Sequence, residues 1–209
     1  MTRVEVFIDG FNLYYGMRDN NKTHSYRKIL WLDLVSFVKK HLIKPDETLE
    51  NIYYFTAEPM KDRGKIIRHK NYCKALTDSG VKIIYGKYKT KKLSCPLCCN
   101  DFDSFEEKET DVNIALSLLR RGVENGYDKA LLFSGDSDLA PAIENAKALF
   151  PQKIYQVVFP INRNRSKRLK QVSDIVPIYQ YLPSYKACQF LPQIILKNGN
   201  IVECPKEWK

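Results

Sequence analysis

The sequence predicts an α/β fold whose central sheet is mostly parallel and is covered by helices on both faces. Short runs rich in β-branched residues alternate along the 209-residue chain with longer stretches whose apolar residues recur at helical spacing. Alternation of this kind is typical of parallel sheets, because the crossover between two parallel strands is usually a helix. The length suffices for one well-buried core with a small appendage.

In the first part of the chain, glycines and charged residues mark where the elements end. Val4–Ile8 is rich in β-branched residues and stops abruptly at Asp9-Gly10, which predicts the first strand. Apolar residues from Trp31 to Val38 recur at helical spacing, and the cations that follow suit the end of a helix. Beyond them we expect a strand at Asn51–Thr56, a helix at Lys61–Ser79 and a strand at Val81–Tyr85.

The second part of the chain continues the alternation after a polar, cysteine-bearing excursion or hairpin at Lys87–Glu107. Thr110 is suited to cap a helix from Asp111 to about Arg121. The elements expected after it are a strand at Lys129–Ser134, a helix at Leu139–Leu149, a strand at Ile154–Phe159 and a short strand at Ile175–Tyr179.

The last residues are expected to form a small appendage. We place the main domain at residues 1–183 and the tail at residues 184–209. Two apolar runs around an Asn-Gly pair predict a hairpin within the tail. Trp208 is expected to pack against the main domain rather than to stack on a base.

The formal net charge of +10, from 34 basic and 24 acidic residues, favours a polyanionic partner because neutralised phosphates release condensed counterions. Many basic proteins bind no nucleic acid, so the distribution of the cations matters. They cluster in three runs accompanied by tyrosines, which is typical of a groove that holds a backbone and stacks bases. The residues expected to contact the nucleic acid are Arg163, Arg165, Lys167, Arg168, Lys87 and Lys89.

The sequence also bears on the compartment. It contains no apolar run of about 18 residues, the length that indicates a membrane span. Glu5 interrupts the early apolar stretch, which makes that stretch a poor signal peptide and a good buried strand. We therefore expect a cytoplasmic protein without a membrane partner.

Six cysteines are present, and without a secretory signal they are expected to be reduced thiols or metal ligands. Cys95 and Cys98 have the two-residue spacing of a zinc knuckle. A structural Zn²⁺ usually takes four protein ligands, and the sequence has no second Cys-x-x-Cys and no matching histidine pair. A zinc site and a reduced hairpin tip therefore both stay open.

Acidic residues fall where strands of the expected sheet end. Asp9 directly follows the first strand, Asp136 and Asp138 follow the fourth, and Asp111 lies in the first turn of the helix before the fourth. Ligands bind at the carboxyl edge of such sheets, so the four carboxylates can meet in one pocket. Like charges raise each other's pKa, and a bound Mg²⁺ or Mn²⁺ relieves that repulsion. One or two such ions can activate a water for phosphodiester hydrolysis without a nucleophilic side chain.

Each aspartate also has a plain structural interpretation. Asp9-Gly10 is compatible with a turn, Asp111 with a favourable charge at a helix N-terminus, and Asp138 with a helix cap. For any single aspartate, the structural interpretation is about as good as the functional one. It is less good as an explanation for all of the aspartates lying together at one edge of the sheet, which favours a functional site.

Three motifs resemble those of the NYN domain family. They are Asp9-Gly-Phe-Asn12-Leu-Tyr, Glu107-Lys-Glu-Thr-Asp111-Val-Asn-Ile-Ala115 and Ser134-Gly-Asp136-Ser-Asp138-Leu-Ala-Pro141. Their order and spacing are similar to those of the LabA-like branch, and the resemblance spans roughly the whole chain. Members commonly have glycine after the Glu-Lys pair, where this chain has Glu109.

The resemblance implies a PIN-like fold and metal-dependent cleavage of RNA, with RNA as the partner. The sequence does not fix the oligomeric state, and a homodimer is compatible with it. Branch members often carry a Cys-x-x-Cys just before the Glu-Lys pair, which supports a zinc knuckle at Cys95 and Cys98. Asn12 and Ser134 are implied to orient water, a carboxylate or a phosphate. The implied ligands of Mg²⁺ or Mn²⁺ are Asp9, Asp111, Asp136 and Asp138.

Two other functions are compatible with the sequence. A non-catalytic RNA-binding or regulatory protein with a vestigial site would keep the basic surface, but it would not need the complete acidic set. A haloacid-dehalogenase-like phosphohydrolase would have Asp-x-Asp after the first strand, and Asp9-Gly-Phe lacks the second aspartate. The acidic set and the net charge together favour the nuclease.

Overall fold

A computed structural model of the chain describes residues 1–18, 29–94, 97, 100–177 and 182–209. Strands and helices alternate through most of it, as the apolar pattern predicts. The elements are β1 (Thr2–Asp9), α1 (Gly10–Arg18), α2 (Leu34–His41), β2 (Glu47–Thr56), α3 (Arg63–Asp78), β3 (Lys82–Tyr85), β4 (Lys87–Ser94), β5 (Asp101–Lys108), α4 (Thr110–Val123), β6 (Lys129–Phe133), α5 (Ala140–Leu149), β7 (Ile154–Val158), α6 (Lys167–Val172), β8 (Asp174–Ile175), α7 (Leu182–Lys186), β9 (Gln193–Ile195) and β10 (Ile201–Glu203), with short 3-10 turns at Ser137–Leu139 and Lys206–Trp208.

The central sheet has six strands in the order β3-β2-β1-β6-β7-β8, and all its neighbours pair in parallel. The strand order reverses between β1 and β6, which is the point where open α/β sheets bind ligands. Ile8 pairs with Phe133 across these two strands, so Asp9 and Ser134 follow at the same carboxyl edge. The sheet thus confirms that the first and third motifs meet.

The core lies on both sides of β1 and β6, whose residues from Val4 to Asp9 and from Lys129 to Phe133 are all buried. Phe7 stacks on Tyr53 with ring centroids 5.3 Å apart, and Phe37 stacks on Phe133 at 6.1 Å. Each such side chain stabilises the fold by roughly 1.5–3 kcal/mol through burial. This packing holds the carboxyl edge of the sheet in place.

The structure corrects three details of the predicted elements. A helix, α1, begins at Gly10 directly after the first strand, where the Asp-Gly pair had indicated a strand end without a helix. Thr110 is the first residue of α4 and not its cap, and its hydroxyl donates to the Glu107 carboxylate. The strand expected at Ile175–Tyr179 is present as β8 at Asp174–Ile175, while residues 178–181 lie outside the described residues.

The tail forms the expected antiparallel hairpin of β9 and β10, with Gly199 in the left-handed region at φ 83°. Trp208 is buried, and its ring centroid lies 6.2 Å from that of Trp31 and 5.9 Å from that of Tyr72. The prediction that Trp208 packs against the main domain is therefore confirmed. The domain boundary at residue 183 stays a prediction.

Across the described ranges, no helix combines the length and the apolar character needed to cross a membrane.

Candidate active site

Asp9 occupies the junction between β1 and α1 and is buried, with 4% of its surface exposed. The backbone N–H of Asn12 donates to its Oδ1 at 2.9 Å, and the Ser134 hydroxyl donates to its Oδ2 at 2.8 Å. Gly10 allows α1 to start here, because a Cβ at that position would lie 2.5 Å from the carbonyl oxygen of Phe55. The carboxylate is thus fixed by one bond to each oxygen.

The segment after β6 is tied to the same junction. The Asn12 side-chain oxygen accepts from the N–H of Gly135 at 3.0 Å, and the Ser134 hydroxyl accepts from the N–H of Asp136 at 3.0 Å. Asp136 in turn caps the following 3-10 turn, accepting from the N–H of Asp138 at 3.0 Å. The cap in this loop is therefore Asp136, where the structural interpretation of the sequence had placed it at Asp138.

Asp111 reaches the site from the first turn of α4. The residue before the helix, Glu109, has φ 77°, in the left-handed region that glycine adopts without strain. Glu107 accepts from the N–H of Thr110 at 3.0 Å, which holds the end of β5 against the start of α4. The position at which NYN family members commonly carry glycine therefore has a backbone conformation that favours glycine.

Two aspartates of the site have raised pKa values. Burial, together with the charges of Asp111 and Asp136, raises the pKa of Asp9 to about 6, and the bonds from Asn12 and Ser134 oppose the shift. The pKa of Asp111 is also raised to about 6, first by desolvation and then by the charges of Asp136, Glu107 and Asp138, although the residue keeps solvent exposure. Asp9, Asp111, Asp136 and Asp138 are thus close enough for their charges to interact, and we call these four residues the acidic pocket.

Within the described residues, no lysine or arginine forms an ion pair with any carboxylate of the acidic pocket. The ion pairs of the molecule involve other acids, such as Glu5, Glu47 and Asp128. In this part of the chain, repulsion in the acidic pocket is therefore not relieved by an ion pair, and a cation from solution would relieve it.

The acidic pocket suits an open, hydrated metal site rather than a closed cage. In the described part of the chain, no three His, Cys, Asp or Glu side chains form a ready group of metal ligands. Mg²⁺ does not need one, since it usually keeps several waters and takes one or two carboxylates together with substrate phosphates. The oxygen donors of Asp9, Asp111 and Asp136 and the absence of a described counter-cation fit Mg²⁺ or Mn²⁺ on these terms.

The six basic residues predicted to contact RNA lie in two places. Arg163 is half-buried between β7 and α6, and its Nε donates to the Asn12 side-chain oxygen at 3.3 Å. Close to it in sequence, Arg168 pairs with Glu144 at 2.5 Å, and Lys87 at the start of β4 pairs with Glu109 at 3.5 Å. The exposed members of the set are Arg165, Lys167, Arg168, Lys87 and Lys89. The contact of Arg163 with Asn12 is the one that joins a predicted RNA-binding residue to the acidic pocket's own hydrogen-bond network.

The predicted zinc ligands Cys95 and Cys98 lie outside the described residues, and zinc binding stays a prediction. Three other cysteines, Cys73, Cys188 and Cys204, are buried free thiols. Burial raises the pKa of the Cys73 thiol to about 11, which suits a reduced structural cysteine.

A cavity of about 310 Å³, which the sequence does not predict, opens next to the start of α1, between α1, α3 and the β4–β5 hairpin. We call it the aromatic cavity after its half-buried walls Phe11, Tyr15, Tyr88 and Phe105. Phe11 and Tyr15 are four residues apart and share one face of α1. That signal was present in the sequence, but it has meaning only once the helix after Asp9 is recognised.

Comparisons with known proteins agree with this geometry. The family model described as NYN domain matches residues 3–178. The chain is 25% identical to 6-hydroxy-3-succinoylpyridine 3-monooxygenase HspA of Pseudomonas putida, covering 99% of this chain and 75% of that protein. It is 28% identical to low amplitude and bright protein LabA of Synechococcus elongatus, covering 70% of this chain and 69% of that protein.

A solved structure shares the fold. The protein of unknown function VPA0982 from Vibrio parahaemolyticus superimposes with a TM-score of 0.54 at 17% identity, covering 83% of this chain and 90% of that chain. At this identity the likeness shows the arrangement of strands and helices and no more.

Proposed function

Because this chain belongs to the NYN domain family, we propose that it is a metal-dependent ribonuclease that hydrolyses RNA at the acidic pocket. NYN and PIN-like domains are usually nucleases. One observation carries the proposal: the charges of Asp111 and Asp136 help to raise the pKa of buried Asp9, and in the described part of the chain no lysine or arginine pairs with these three carboxylates. Carboxylates kept together without a counterion favour a divalent ion.

Asp9, Asp111 and Asp136 would hold the ion, with Asp138 at the rim of the acidic pocket. When bound, Mg²⁺ or Mn²⁺ supplies an activated water and stabilises the charge that develops on the leaving oxygen. A carboxylate offers about four lone-pair sites, and Asn12 and Ser134 occupy one on each oxygen of Asp9. The remaining sites stay available for a ligand, in an orientation that these two residues fix.

Arg163 would contact the RNA backbone next to the scissile phosphate. Its bond to the Asn12 side-chain oxygen supports this role, because Asn12 also holds Asp9 through its backbone N–H. The other basic residues would attract the strand over a longer range, which makes binding dependent on salt.

The test compares two aspartates of the same molecule. Asp9→Asn removes a carboxylate of the acidic pocket, and Asp128→Asn is the matched control because Asp128 is paired with Arg3 outside it. We expect Asp9→Asn to lower Mn²⁺- or Mg²⁺-dependent cleavage of labelled RNA by roughly 100-fold or more while the fold and most RNA affinity persist.

The Asp128→Asn variant should cleave RNA at the same rate as the natural protein. A chelator should abolish cleavage by the Asp128→Asn variant and by the natural protein. Full activity of Asp9→Asn, or activity in chelator, would contradict the mechanism. RNA binding without cleavage by the natural chain under any divalent metal would instead support the non-catalytic alternative.

A second candidate function is the oxidation of a small aromatic compound. The relative named as a monooxygenase of a substituted pyridine aligns over 99% of this chain, and the aromatic cavity beside Asp9 is the observation that favours this candidate. The acidic pocket favours the nuclease, because oxidation of a ring does not call for unneutralised carboxylates. If the protein does not cleave RNA but binds a hydroxypyridine acid tightly, oxidation of a small aromatic compound becomes the favoured function and the ribonuclease the second candidate.

A further inference from the structure

The aromatic cavity adjoins the acidic pocket at the carboxyl edge of the sheet. Gly10 and Phe11, which directly follow Asp9, line it, and so does Thr56 at the end of β2. Tyr54 lies at its base, packed so closely on Gly10 that a Cβ there would be 2.6 Å from the tyrosine ring. Asp9 is therefore the residue directly before the cavity wall along the chain, and a ligand in the cavity would lie at the same edge of the sheet as the carboxylates.

The walls of the cavity are aromatic side chains that keep part of their surface exposed. Phe11 and Tyr15 stack with centroids 6.4 Å apart, and Tyr88 meets the edge of Phe11 at 6.1 Å. Tyr72, which also lines the cavity, differs because it is buried and its hydroxyl donates to the carbonyl of Leu32 at 2.8 Å. Half-exposed rings around a cavity of about 310 Å³ are suited to stack on a planar ring.

Cations stand at the mouth of the same cavity. Lys61 lies 4.4 Å from the centroid of the Phe105 ring and pairs with Asp103 at 3.2 Å. Lys65 pairs with Asp62 at 3.8 Å. Exposed pairs of this kind contribute little to stability, so an anionic ligand can replace the acidic partner at small cost.

The occupant that these features fit is a planar aromatic ring that carries an anionic group. Such chemistry is found in a nucleotide of an RNA strand and in a free aromatic acid. The strand is favoured by the net charge of +10 and by the position of the cavity beside the carboxylates that would cut it. A base that is paired and stacked in a duplex is not free to stack on the rings of this cavity, whereas an unpaired base is.

Resting on the proposed function, we propose that the aromatic cavity binds one base of an unpaired RNA strand, with its phosphate held by Lys61 and Lys65. The acidic pocket then acts on a neighbouring phosphodiester. The substrates of this protein are accordingly single-stranded segments, and paired RNA is excluded at the binding step.

Binding is measured in chelator, so that it does not depend on metal or on cleavage. A short labelled single-stranded oligoribonucleotide is titrated by fluorescence anisotropy, with a duplex of the same sequence, a nucleoside monophosphate, inorganic phosphate and a small hydroxypyridine acid as competitors. In the natural chain, the tryptophan fluorescence reports occupation without any substitution, because Trp208 lines the cavity and Trp31, the other tryptophan, packs against Trp208 with ring centroids 6.2 Å apart.

The variant Tyr15→Leu removes a wall ring and Tyr15→Phe retains it. Tyr85→Leu is the matched control, because Tyr85 is also a half-exposed tyrosine but lies outside the cavity. We expect Tyr15→Leu to weaken single-strand binding by about 5- to 100-fold, the usual contribution of one stacked base, and the other two variants to bind like the natural chain.

Competition by the monophosphate, but not by the duplex or by phosphate alone, and a change of tryptophan fluorescence with the single strand support the proposal. Unchanged binding by a folded Tyr15→Leu variant overturns it. If that variant does not fold, unchanged tryptophan fluorescence of the natural chain on RNA binding overturns it instead.

If the hydroxypyridine acid displaces the labelled single strand and the nucleoside monophosphate does not, the proposal is also overturned. The cavity is then assigned to a small molecule. Because these measurements need no metal, they are separate from the Asp9→Asn cleavage test. Either proposal can therefore fail while the other stands.

Discussion

Carboxylates occur at both ends of the central sheet, and the two ends treat them differently. At the amino end, Glu5 is fully buried and pairs with Arg121 at 2.6 Å, and buried Glu47 pairs with Lys129 at 2.9 Å. At the carboxyl end, Asp9 is buried with hydrogen bonds from Asn12 and Ser134 but without a described ion pair. The protein therefore pairs its structural carboxylates with cations, whereas no described cation pairs with those of the acidic pocket.

The pKa values show the same contrast. Hydrogen bonds from Arg3 lower the pKa of Asp128 to about 2, whereas burial and neighbouring aspartates raise the pKa of Asp9 to about 6. A lowered pKa means that the fold stabilises the anion, and a raised pKa means that the fold is destabilised by it. An acid that the fold keeps at such a cost is a candidate for function.

The largest expected effect comes from removing the counterion of a structural carboxylate. Arg121→Ala would leave Glu5 buried with its hydrogen bonds from Asn51 and Tyr53 alone. We expect the free energy of unfolding at neutral pH to fall by about 3–5 kcal/mol, the usual effect of breaking a buried pair. Urea denaturation measures it.

Arg120→Ala is the matched control, since neighbouring Arg120 is exposed and pairs with Glu124 at 3.6 Å. It should change stability by less than about 1 kcal/mol. Equal effects of the two substitutions would show that the buried pair does not stabilise the amino end of the sheet.

The next largest effect is a pH dependence of stability that comes from the carboxyl end of the sheet. Its sign is opposite to that expected for Asp128, because the pKa of Asp9 is raised and that of Asp128 is lowered. Between about pH 4 and pH 6 the folded state holds a proton on Asp9 that the unfolded state releases, so stability should fall as pH rises through this window. The expected loss is on the order of 1–3 kcal/mol without metal. Asp9→Asn should reduce this slope to the part that comes from Asp111, whose pKa is also raised to about 6, and should stabilise the metal-free protein at neutral pH.

Mn²⁺ completes the same prediction. Because it binds the deprotonated carboxylates, it should raise the melting temperature of the natural chain at neutral pH and much less at pH 5. Thermal denaturation with and without Mn²⁺ at the two pH values measures both effects. A metal-free stability that does not decrease between pH 4 and pH 6 would contradict the raised pKa of Asp9.

The sequence predicts the acidic pocket better than it predicts what surrounds it. The sequence places Asp9 and Asp136 correctly at one edge, because Asp9 ends a buried parallel strand and Asp136 lies just beyond the end of the neighbouring one. The helix after Asp9 was missed because Asp-Gly is a turn signal, and the close contact of Gly10 with Phe55 is a tertiary effect. Without helix α1, the sequence does not predict the aromatic cavity, because some of the cavity walls lie on α1. Other walls lie on the hairpin of β4 and β5, which is distant in sequence.

A smaller effect is expected from the residues that hold Asp9 in place. Ser134→Ala removes the hydroxyl that donates to Asp9 and accepts from the N–H of Asp136. Partners of this kind usually contribute about 10- to 100-fold to metal affinity. We expect the Mn²⁺ concentration for half-maximal cleavage to rise by roughly that factor, with partial recovery at saturating metal.

Ser137→Ala is the control for this substitution, because Ser137 is an exposed serine in the same loop. It should leave the Mn²⁺ dependence unchanged. An equal shift in both variants would mean that the loop as a whole, and not the bond to Asp9, sets the metal affinity.

The smallest expected effect concerns the backbone before α4, where one residue is under strain near the acidic pocket. Glu109 has φ 77°, a region that costs an ordinary residue roughly 1 kcal/mol and that glycine adopts freely. The exposed pair of Glu109 with Lys87 at 3.5 Å offsets little of that cost. Glu109→Gly should therefore raise the free energy of unfolding by about 0.5–1 kcal/mol. Glu109→Ala, which removes the pair and keeps the strain, should not stabilise the protein, and stabilisation by both variants would assign the effect to charge rather than to the backbone.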